Sequence, residues 1–172
     1  MKVFAVVGPS GAGKDSVINA VRAQRPDLTV LRRVITRSEA PGDEPFEGVD
    51  EATFAAREAA GEFALVWEAH GLRYAIPRPS GNGPVLFNGS RKRLADAGRA
   101  FPGLEVIHIT CPPEVRAARL AQRGRETADD IARRLTRDAP LPPGLIVHEI
   151  DNCGALGNAV AAVLKVLECQ IE

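Results

Sequence analysis

The chain has 172 residues, 45% of them hydrophobic and 26% charged, and its 22 basic and 22 acidic side chains give a formal net charge of zero at pH 7. This length fits one domain with a substantial core and is too short for two ordinary ones. The balanced charge argues against a general affinity for nucleic acid or membrane surfaces, so recognition of any charged ligand must be local.

The first predicted elements are a buried strand and a glycine-rich turn. Residues 3–7 form a short β-branched run, as expected of a parallel strand buried on both faces. Gly8, Gly11 and Gly13 then allow a tight turn whose backbone N–H groups make an anion-binding nest. A helix begins at Lys14 and directs its positive dipole end to the same place. This order of elements predicts a phosphate-binding loop rather than an ordinary glycine turn.

The residue after the lysine departs from the usual loop. The pattern G-x-x-x-x-G-K-[ST] places a magnesium-binding hydroxyl there, whereas this chain has Asp15 followed by Ser16. In one interpretation Asp15 ligates the metal and compensates for Asn88, a neutral amide where a later strand would usually end in a carboxylate. In the other, Ser16 ligates the metal and Asp15 only caps the helix. Both residues are therefore candidate metal ligands.

The remaining elements alternate between strands and helices. Further strands are predicted at residues 29–35, 63–68, 85–87, 106–109 and 145–150. Helices are predicted at residues 14–22, 50–60, 91–100, 113–123, 127–138 and 155–168. This alternation predicts an α/β fold with a mostly parallel central sheet and helices on both faces.

Two segments do not fit the alternation. Residues 37–49 and 77–84 are rich in Gly and Pro, and the first is also acidic, so both are predicted to be loops. Loops beyond the strand ends of an open α/β sheet often line its crevice, which favours a substrate-binding role.

An arginine-rich segment follows the fifth predicted strand. It contains Arg116, Arg119, Arg123, Arg125, Arg133, Arg134 and Arg137. Some of these can simply pair with acidic neighbours or remain solvated. The density favours a helical lid that closes over a nucleotide and brings guanidinium groups to a transferring phosphoryl group.

The three cysteines are widely separated, at Cys111, Cys153 and Cys169. Their spacing matches no metal site, and an odd number without a hydrophobic leader argues against a disulfide scaffold. No apolar run approaches the length needed to cross a membrane. We therefore expect reduced thiols and a cytoplasmic location.

Several motifs occur together in the order found in guanylate-kinase-like phosphotransferases. They are GPSGAGK, a Thr-Arg pair after the second predicted strand, a G-x-x-Y, and R-L-x-x-R-G followed by I-x-x-R-L. The chain resembles that group over nearly its whole length. Within the group, GKDS in place of GKST, together with VITR, FNGSR and RGRE, is similar to the ribose 1,5-bisphosphate phosphokinases of phosphonate degradation.

The resemblance implies a single P-loop kinase domain. Its core would be residues 1–35, 84–115 and 139–172, with a substrate-binding region of about 36–83 and an arginine-rich lid of about 116–138. The implied reaction is ATP-dependent phosphorylation of ribose 1,5-bisphosphate to 5-phosphoribosyl 1-diphosphate (PRPP), with Mg²⁺ as the metal. The partners are then ATP and a phosphorylated sugar, without nucleic acid or membrane, and both a monomer and a homo-oligomer stay open.

The resemblance also implies roles for residues that hold ATP. The phosphate loop comprises Gly8, Pro9, Ser10, Gly11, Ala12, Gly13, Lys14, Asp15 and Ser16. Arg119 would stack on the adenine and Asn152 would lie near it. The implied catalytic residues are Lys14, at the outer phosphates, and Arg123 and Arg134, at the γ-phosphoryl group.

Departures from the guanylate kinase pattern weigh against GMP as the acceptor. Ala40, Phe46 and Leu65 stand where that pattern has a second arginine, a tyrosine and the glutamate that reads guanine. Leu65 cannot accept a hydrogen bond from a guanine edge, so guanine selectivity should be lost.

The candidate substrate ligands are groups that match phosphates or sugar hydroxyls. They are Arg33, Arg37, Tyr74, Asn88, Ser90 and Arg91. For Asn88 and Ser90, a turn with capping side chains is an equal alternative. Arg73 is a further candidate. His70 could bind a substrate phosphate, but a lone histidine beside a glycine turn is more often only packed or solvated.

Two other functional classes stay open. A nucleoside monophosphate kinase would prefer GMP or AMP as the acceptor. A non-catalytic guanylate-kinase-like binding module would be expected to have a degraded phosphate loop, whereas Lys14 and the glycines of this loop are intact.

Overall fold

A computed structural model describes residues 1–39, 45–124, 126–136 and 139–168. The strands are β1 (Val3–Val7), β2 (Thr29–Leu31), β3 (Arg33–Ile35), β4 (Phe46–Gly48), β5 (Phe63–Ala69), β6 (Leu72–Pro77), β7 (Val85–Asn88), β8 (Glu105–Thr110) and β9 (Ile146–Asp151). The α-helices are α1 (Lys14–Gln24), α2 (Glu51–Ala59), α3 (Leu94–Ala100), α4 (Pro113–Arg123), α5 (Ala128–Leu135) and α6 (Leu156–Glu168). Among these described helices, none is both long enough and apolar enough to span a bilayer.

The central sheet has five strands in the order β2-β7-β1-β8-β9. All of its neighbouring strands run parallel. The middle strand, β1, is buried over its whole length, as its apolar β-branched sequence predicts. The predicted parallel α/β fold is therefore confirmed.

Helices cover both faces of this sheet because alternate residues of a strand point to opposite sides. Phe4 and Val6 lie in one apolar cluster with buried residues of α1 and α6. Val3, Ala5 and Val7 lie in a second cluster with buried residues of α3. A fully buried side chain of this size contributes about 1.5–3 kcal/mol, so β1 is a rigid base for the loop that follows it.

The second sheet has four strands in the order β4-β3-β6-β5. Register places Ile35, Tyr74 and Trp67 on one face of it. The opposite face carries Val34 and Ala75, which pack with residues of α2. We call the first of these the inner face, because it adjoins α3 and the central sheet, and the second the outer face.

The predicted strand at residues 29–35 is wrong as a single element. It divides at Arg32 into β2, in the central sheet, and β3, in the second sheet. The Arg32 guanidinium donates to the carbonyl oxygen of Phe46, on the strand next to β3. The division is therefore a tertiary effect that local β propensity does not predict.

Two short strands were not predicted. β4 lies inside residues 37–49, which were predicted to be a loop. β6 follows a hairpin turn at His70 and Gly71, whose φ angles of 54° and 73° are both positive. Positive φ at both central residues is what a type I′ hairpin turn requires, and the pair shares with the usual Asn-Gly and Asp-Gly signals only its glycine.

Several predicted helix bounds also differ. α1 ends at Gln24 rather than at residue 22, and α2 and α6 are shorter than predicted by two residues and one residue. Residues 91–100 begin with a 3₁₀ turn at Arg91–Arg93 before α3. The helix predicted at residues 127–138 starts after Thr127, whose side chain accepts from the backbone N–H of Asp130 in a capping box, and ends at Leu135. Residue 138 lies outside the described residues, as do Ala40, Arg125, Arg137 and Cys169.

Candidate active site

The glycine-rich turn lies at the carboxyl end of β1 and leads into α1. A Cβ atom added to Gly8 would lie 2.3 Å from the carbonyl oxygen of Ile109 on β8. Gly11 and Gly13 have φ angles of 81° and 86°, which side chains other than glycine rarely adopt. Lys14 Nζ donates to the carbonyl oxygen of Gly8 at 3.0 Å, so its ammonium lies back over the turn. This geometry agrees with the predicted phosphate-binding loop.

Two side chains from distant elements are tied to this loop. The Asn152 amide, only 4% exposed, donates through Nδ2 to the Ala12 carbonyl oxygen at 2.7 Å. Arg119 donates through Nη2 to the Asn152 carbonyl oxygen at 2.7 Å. Asn152 Oδ1 is buried and has no hydrogen-bond partner among the described residues. Because a buried acceptor costs free energy when it is unpaired, this oxygen fits a donor group on a ligand.

A cleft of about 360 Å³ opens beside these contacts. We call it the α4 cleft, and it is lined by Gly13, Ser16, Arg119, Gln122, Arg123 and Asn152. It lies next to the helix end where the loop amides converge, so it can take the base and sugar of a nucleotide whose phosphates reach the loop.

Asp15 and Asn88 are in direct contact. Asn88 Nδ2 donates to Asp15 Oδ1 at 2.9 Å, although 73 positions separate the two residues. The loop acid and the end of β7 therefore meet, as one of the two metal interpretations requires. No group of three or more His, Cys, Asp or Glu side chains within the described ranges could hold a metal ion. A Mg²⁺ ion here would need phosphate and water oxygens as well, which is its usual coordination.

A second cleft, of about 420 Å³, lies between the loop, the second sheet and the arginine-rich segment. We call it the cationic cleft, because its lining includes Lys14, Arg33, Arg91, Lys92 and Arg134. No Asp or Glu is part of this lining in the portion of the chain that the structure describes. Such a concentration of one sign of charge favours a ligand with several negative charges.

The cationic residues also act on a histidine of β8. Burial lowers the pKa of His108, Glu149 opposes this, and the positive charges of Arg91 and Lys14 lower the pKa further. The net effect keeps the imidazole neutral near neutral pH, so His108 adds no positive charge of its own.

The arginine-rich segment divides into different roles. Arg116 is buried and donates from Nε to the Cys111 carbonyl oxygen at 3.1 Å, which is a structural contact. Arg134 pairs with Glu126, with Nη1 and Oε1 2.9 Å apart, and lines the cationic cleft. Arg123 instead lines the α4 cleft. The joint approach of Arg123 and Arg134 to a γ-phosphoryl group stays a prediction.

The predicted substrate ligands fall into two groups. Arg33, Asn88, Ser90 and Arg91 line the cationic cleft together. The two others do not belong to that lining. Arg37 lies over the ring of Phe46, 4.6 Å from its centroid, and Tyr74 stacks on Trp67.

Arg73 faces away from the cationic cleft. Its guanidinium lies 4.5 Å from the ring centroid of Phe54 on the outer face and pairs with Glu58, with Glu51 at 3.8 Å. These contacts give Arg73 a structural role in the second sheet.

Two further lining residues were not among the predicted substrate ligands. His70 was considered as a phosphate ligand but was expected to be packed or solvated, and Lys92 was not considered, yet both line the cationic cleft. Gly71 is a turn signal in the sequence and could have placed His70 at a loop tip. Its proximity to the phosphate loop depends on how the two sheets are arranged.

Known proteins resemble this chain closely in sequence. The chain is 47% identical to ribose 1,5-bisphosphate phosphokinase PhnN of Ruegeria sp. (strain TM1040), over 98% of this chain and 92% of that protein. It is 43% identical to the protein of the same name from Agrobacterium fabrum, over 96% of each chain. It is also 44% identical to a bifunctional ribose 1,5-bisphosphokinase-thymidine phosphorylase of Cupriavidus pinatubonensis, where 92% of this chain matches 28% of that protein. No protein-family model matches.

Solved structures agree on the fold. A guanylate kinase from Anaplasma phagocytophilum superposes with a TM-score of 0.66 at 18% identity, over 99% of this chain and 87% of that one. A gluconokinase from Sinorhizobium meliloti superposes with a TM-score of 0.54 at 18% identity, over 98% and 94%. The fold is thus that of the guanylate-kinase-like P-loop kinases, and the extent of the sequence identity shows that the chain belongs to the ribose 1,5-bisphosphate phosphokinase family.

Proposed function

We propose that this protein transfers the γ-phosphoryl group of ATP to the 1-phosphate of ribose 1,5-bisphosphate and releases PRPP and ADP. The observation that carries the proposal is 47% identity, over 98% of the chain, to a protein named for that substrate. The cationic cleft supports it, because five basic side chains next to a phosphate loop suit an acceptor with two phosphate groups.

ATP is the proposed donor. Its phosphates would lie on the loop amides and Lys14, and its base in the α4 cleft. Arg119 and Asn152 line that cleft, and the buried, unpaired Asn152 Oδ1 is an acceptor suited to an amino group such as that of adenine.

The transfer itself needs no protein nucleophile. An oxygen of the acceptor 1-phosphate forms a bond to the γ-phosphorus while the bond from that phosphorus to the β–γ bridging oxygen breaks, and the electron pair leaves with ADP. Lys14 and Arg134 border the cationic cleft and would neutralise charge on the moving group. Mg²⁺, when bound, would supply further charge neutralisation at the outer phosphates, held by Asp15 or Ser16.

Each region of the chain has a proposed role in this reaction. Residues 36–83 would form the substrate-binding region and residues 116–138 the lid, around a core of residues 1–35, 84–115 and 139–172. Within that division β3 pairs in the second sheet although it falls in the proposed core. We also propose a cytoplasmic location, where the proposed donor ATP would be supplied, and a part in phosphonate metabolism, which the resemblance to the ribose 1,5-bisphosphate phosphokinases implies.

The experiment is an acceptor comparison with purified protein, ATP and Mg²⁺. Ribose 1,5-bisphosphate, GMP and AMP are supplied separately, and ADP and PRPP are measured. We expect kcat/KM for ribose 1,5-bisphosphate to exceed that for either nucleotide by about 100-fold or more, because the site is matched to two phosphates and has no guanine reader. Lys14→Ala serves as the control for contaminating kinases. A preference for GMP or AMP, or tight ATP binding without any turnover, would contradict the proposal.

A further inference from the structure

An acidic residue outside the cationic cleft is paired with one of the basic residues that line it. Glu126 lies just before Thr127, the N-cap of α5, and Arg134 lies near the end of the same helix. Glu126 Oε1 and Arg134 Nη1 are 2.9 Å apart. The described lining of the cationic cleft includes Arg134 but not Glu126. The guanidinium therefore borders the cleft while a carboxylate outside the lining holds it.

The pair runs along α5 rather than across one turn of it. The helix has eight residues and is about 12 Å long, and the backbone positions of the pair span most of that length. Side chains of a helix lean toward its N-terminus, so the long Arg134 side chain reaches back in the direction of Glu126. Arg133, in contrast, pairs one turn back with Asp130, and its side chain is 73% exposed. The contact with Glu126 thus confines a long side chain to one direction along α5.

The Glu126 carboxylate is better shielded from water than an ordinary surface acid. Its side chain is 15% exposed, against 39% for Arg134. Its second oxygen, Oε2, is buried and has no hydrogen-bond partner among the described residues. Ion pairs between exposed groups contribute little, but a shielded carboxylate attracts its partner more strongly. The pair is therefore able to hold the guanidinium in place.

We propose that Glu126 is a positioning residue that holds the Arg134 guanidinium at the cationic cleft before the phosphoryl group is transferred. The inference rests on the proposed function, in which Arg134 neutralises charge on that group. An unrestrained arginine side chain has many rotamers, and ordering it during the reaction would add to the barrier. A carboxylate that orders it beforehand removes this cost, as in other preorganised sites.

This role predicts an effect on turnover and not on the binding of substrates. Arg134 is proposed to act on charge that develops during transfer, so a residue that acts through it should change kcat and leave both KM values as they are. A residue needed only for the folding of α5 would change affinity and thermal stability as well. The two roles therefore give different results.

The test is single-turnover and steady-state kinetics of Glu126→Ala with ATP, Mg²⁺ and ribose 1,5-bisphosphate. We expect the rate of transfer to fall about tenfold or more, with both KM values within about threefold of those of the natural protein. In an Arg134→Ala background the same substitution should change the rate less than about twofold, because its effect passes through the guanidinium. Glu126→Gln keeps the shape of the side chain without its charge and should have a smaller effect. It replaces Glu126→Ala if circular dichroism shows that the alanine variant does not fold.

Asp129→Asn is the matched control. Asp129 is an exposed acid in the first turn of α5, so this substitution also removes one negative charge from the amino end of the helix dipole. It should change the rate of transfer less than about twofold. The comparison separates the contact with Arg134 from the general effect of charge at this end of the helix.

A natural rate in a folded Glu126→Ala protein would overturn the inference. So would a faster rate, because the pair would then hold Arg134 away from the transferring group. An equal loss in the natural and the Arg134→Ala backgrounds, or an equal loss in Asp129→Asn, would overturn it too. Failure of the natural protein to phosphorylate ribose 1,5-bisphosphate would instead remove the proposed function, and the variants would then be compared with GMP or AMP as the acceptor.

Discussion

Asp15 and Asn88 both depart from the usual residue types: the phosphate loop has a carboxylate where a hydroxyl is usual, and the strand end beside it has a neutral amide where a carboxylate is usual. The observed contact of Asp15 is the Asn88 amide, at 2.9 Å. An acid that served only as a helix cap would be expected to accept from backbone N–H groups of the helix. The hydrogen bond from Asn88 orients one oxygen of the Asp15 carboxylate and holds this carboxylate beside the phosphate loop. This position favours Asp15 over Ser16 as the proposed magnesium ligand.

Replacement of the acid by its amide tests that choice. Asp15→Asn retains the shape of the side chain but removes the anionic oxygen, so we expect the Mg²⁺ concentration for half-maximal activity to rise about tenfold. Ser16→Ala is the matched variant and should change it less than about threefold. The measurement is a Mg²⁺ titration of activity at saturating ATP. The reverse order of the two effects would assign the metal to Ser16.

Neighbouring arginines of α5 offer a second comparison. Arg134 lines the cationic cleft, whereas Arg133 pairs with Asp130 on its own helix and its side chain is 73% exposed. We expect Arg134→Ala to lower kcat by about 1,000-fold or more, as for other groups that neutralise a transferring phosphoryl. Arg133→Ala should change kcat less than about threefold, because exposed pairs contribute little. Single-turnover kinetics would measure both, and equal losses would remove the special role of Arg134.

Some helices and strands can be predicted from local sequence, whereas others depend on tertiary contacts. The phosphate loop was predictable because its glycines, Lys14 and α1 are contiguous, and α4 was predicted with the bounds that the structure has. The division of residues 29–35 into two strands could not be predicted locally. It depends on a hydrogen bond from Arg32 to the carbonyl oxygen of Phe46, and the strand that contains Phe46 was predicted to be a loop. β6 was not predicted, although the residues of its turn, His70 and Gly71, are adjacent in the sequence.

A methyl group added at Gly8 tests how closely the phosphate loop packs against β8. In Gly8→Ala the new Cβ would meet the Ile109 carbonyl oxygen at 2.3 Å, and a backbone atom of a central strand cannot easily move away. We expect ATP affinity to fall by about 100-fold and the free energy of unfolding by about 2 kcal/mol. Calorimetry with ATP and thermal denaturation measure the two effects.

The control for this variant is a glycine with strain but without a clash. Gly103 has a φ of 78° in the turn before β8, and a Cβ there meets nothing within 4 Å. Gly103→Ala should cost about 1 kcal/mol of stability and leave ATP affinity unchanged. Equal loss of ATP affinity in both variants would mean that general destabilisation, rather than the packing of the phosphate loop against β8, explains the effect of Gly8→Ala.

At the scale of the whole molecule, the site joins segments that no single motif contains. On the proposed donor side, the phosphate loop was predicted from its motif and Asn152 from the resemblance, and the structure ties Asn152 to the loop through the Ala12 carbonyl oxygen. On the proposed acceptor side, the candidates Arg33 and Arg91 line the cationic cleft together, whereas His70 had been considered and set aside and Lys92 had not been considered. These residues come from both sheets, and their proximity depends on how the sheets pack, which periodicity does not encode.

A buried charge lies at the amino ends of the central strands, opposite the end that carries the phosphate loop. Glu105, at the start of β8, is 1% exposed and accepts hydrogen bonds from Lys2 and from Nε2 of His148, the latter at 2.7 Å. Burial raises the pKa of the Glu105 carboxyl, but the hydrogen bonds and charges of Lys2 and His148 outweigh this and hold the pKa below its ordinary value. The cluster fastens the amino ends of β8 and β9 to the start of β1, far along the strands from the phosphate loop.

This cluster predicts a pH-dependent stability that is separate from catalysis. Because the pKa of Glu105 is lower in the folded chain than in the unfolded one, its contribution is complete above the unfolded value of about 4.5 and is lost as the pH falls through the lower folded value. Glu105→Gln should lower the free energy of unfolding at pH 7 by about 2 kcal/mol. The difference from the natural protein should shrink below that pH range, while kcat at pH 7 stays the same. Urea denaturation across pH 3–7 measures it, with the exposed Glu149→Gln as control; a difference that does not vary with pH would show that charge at Glu105 is not the cause.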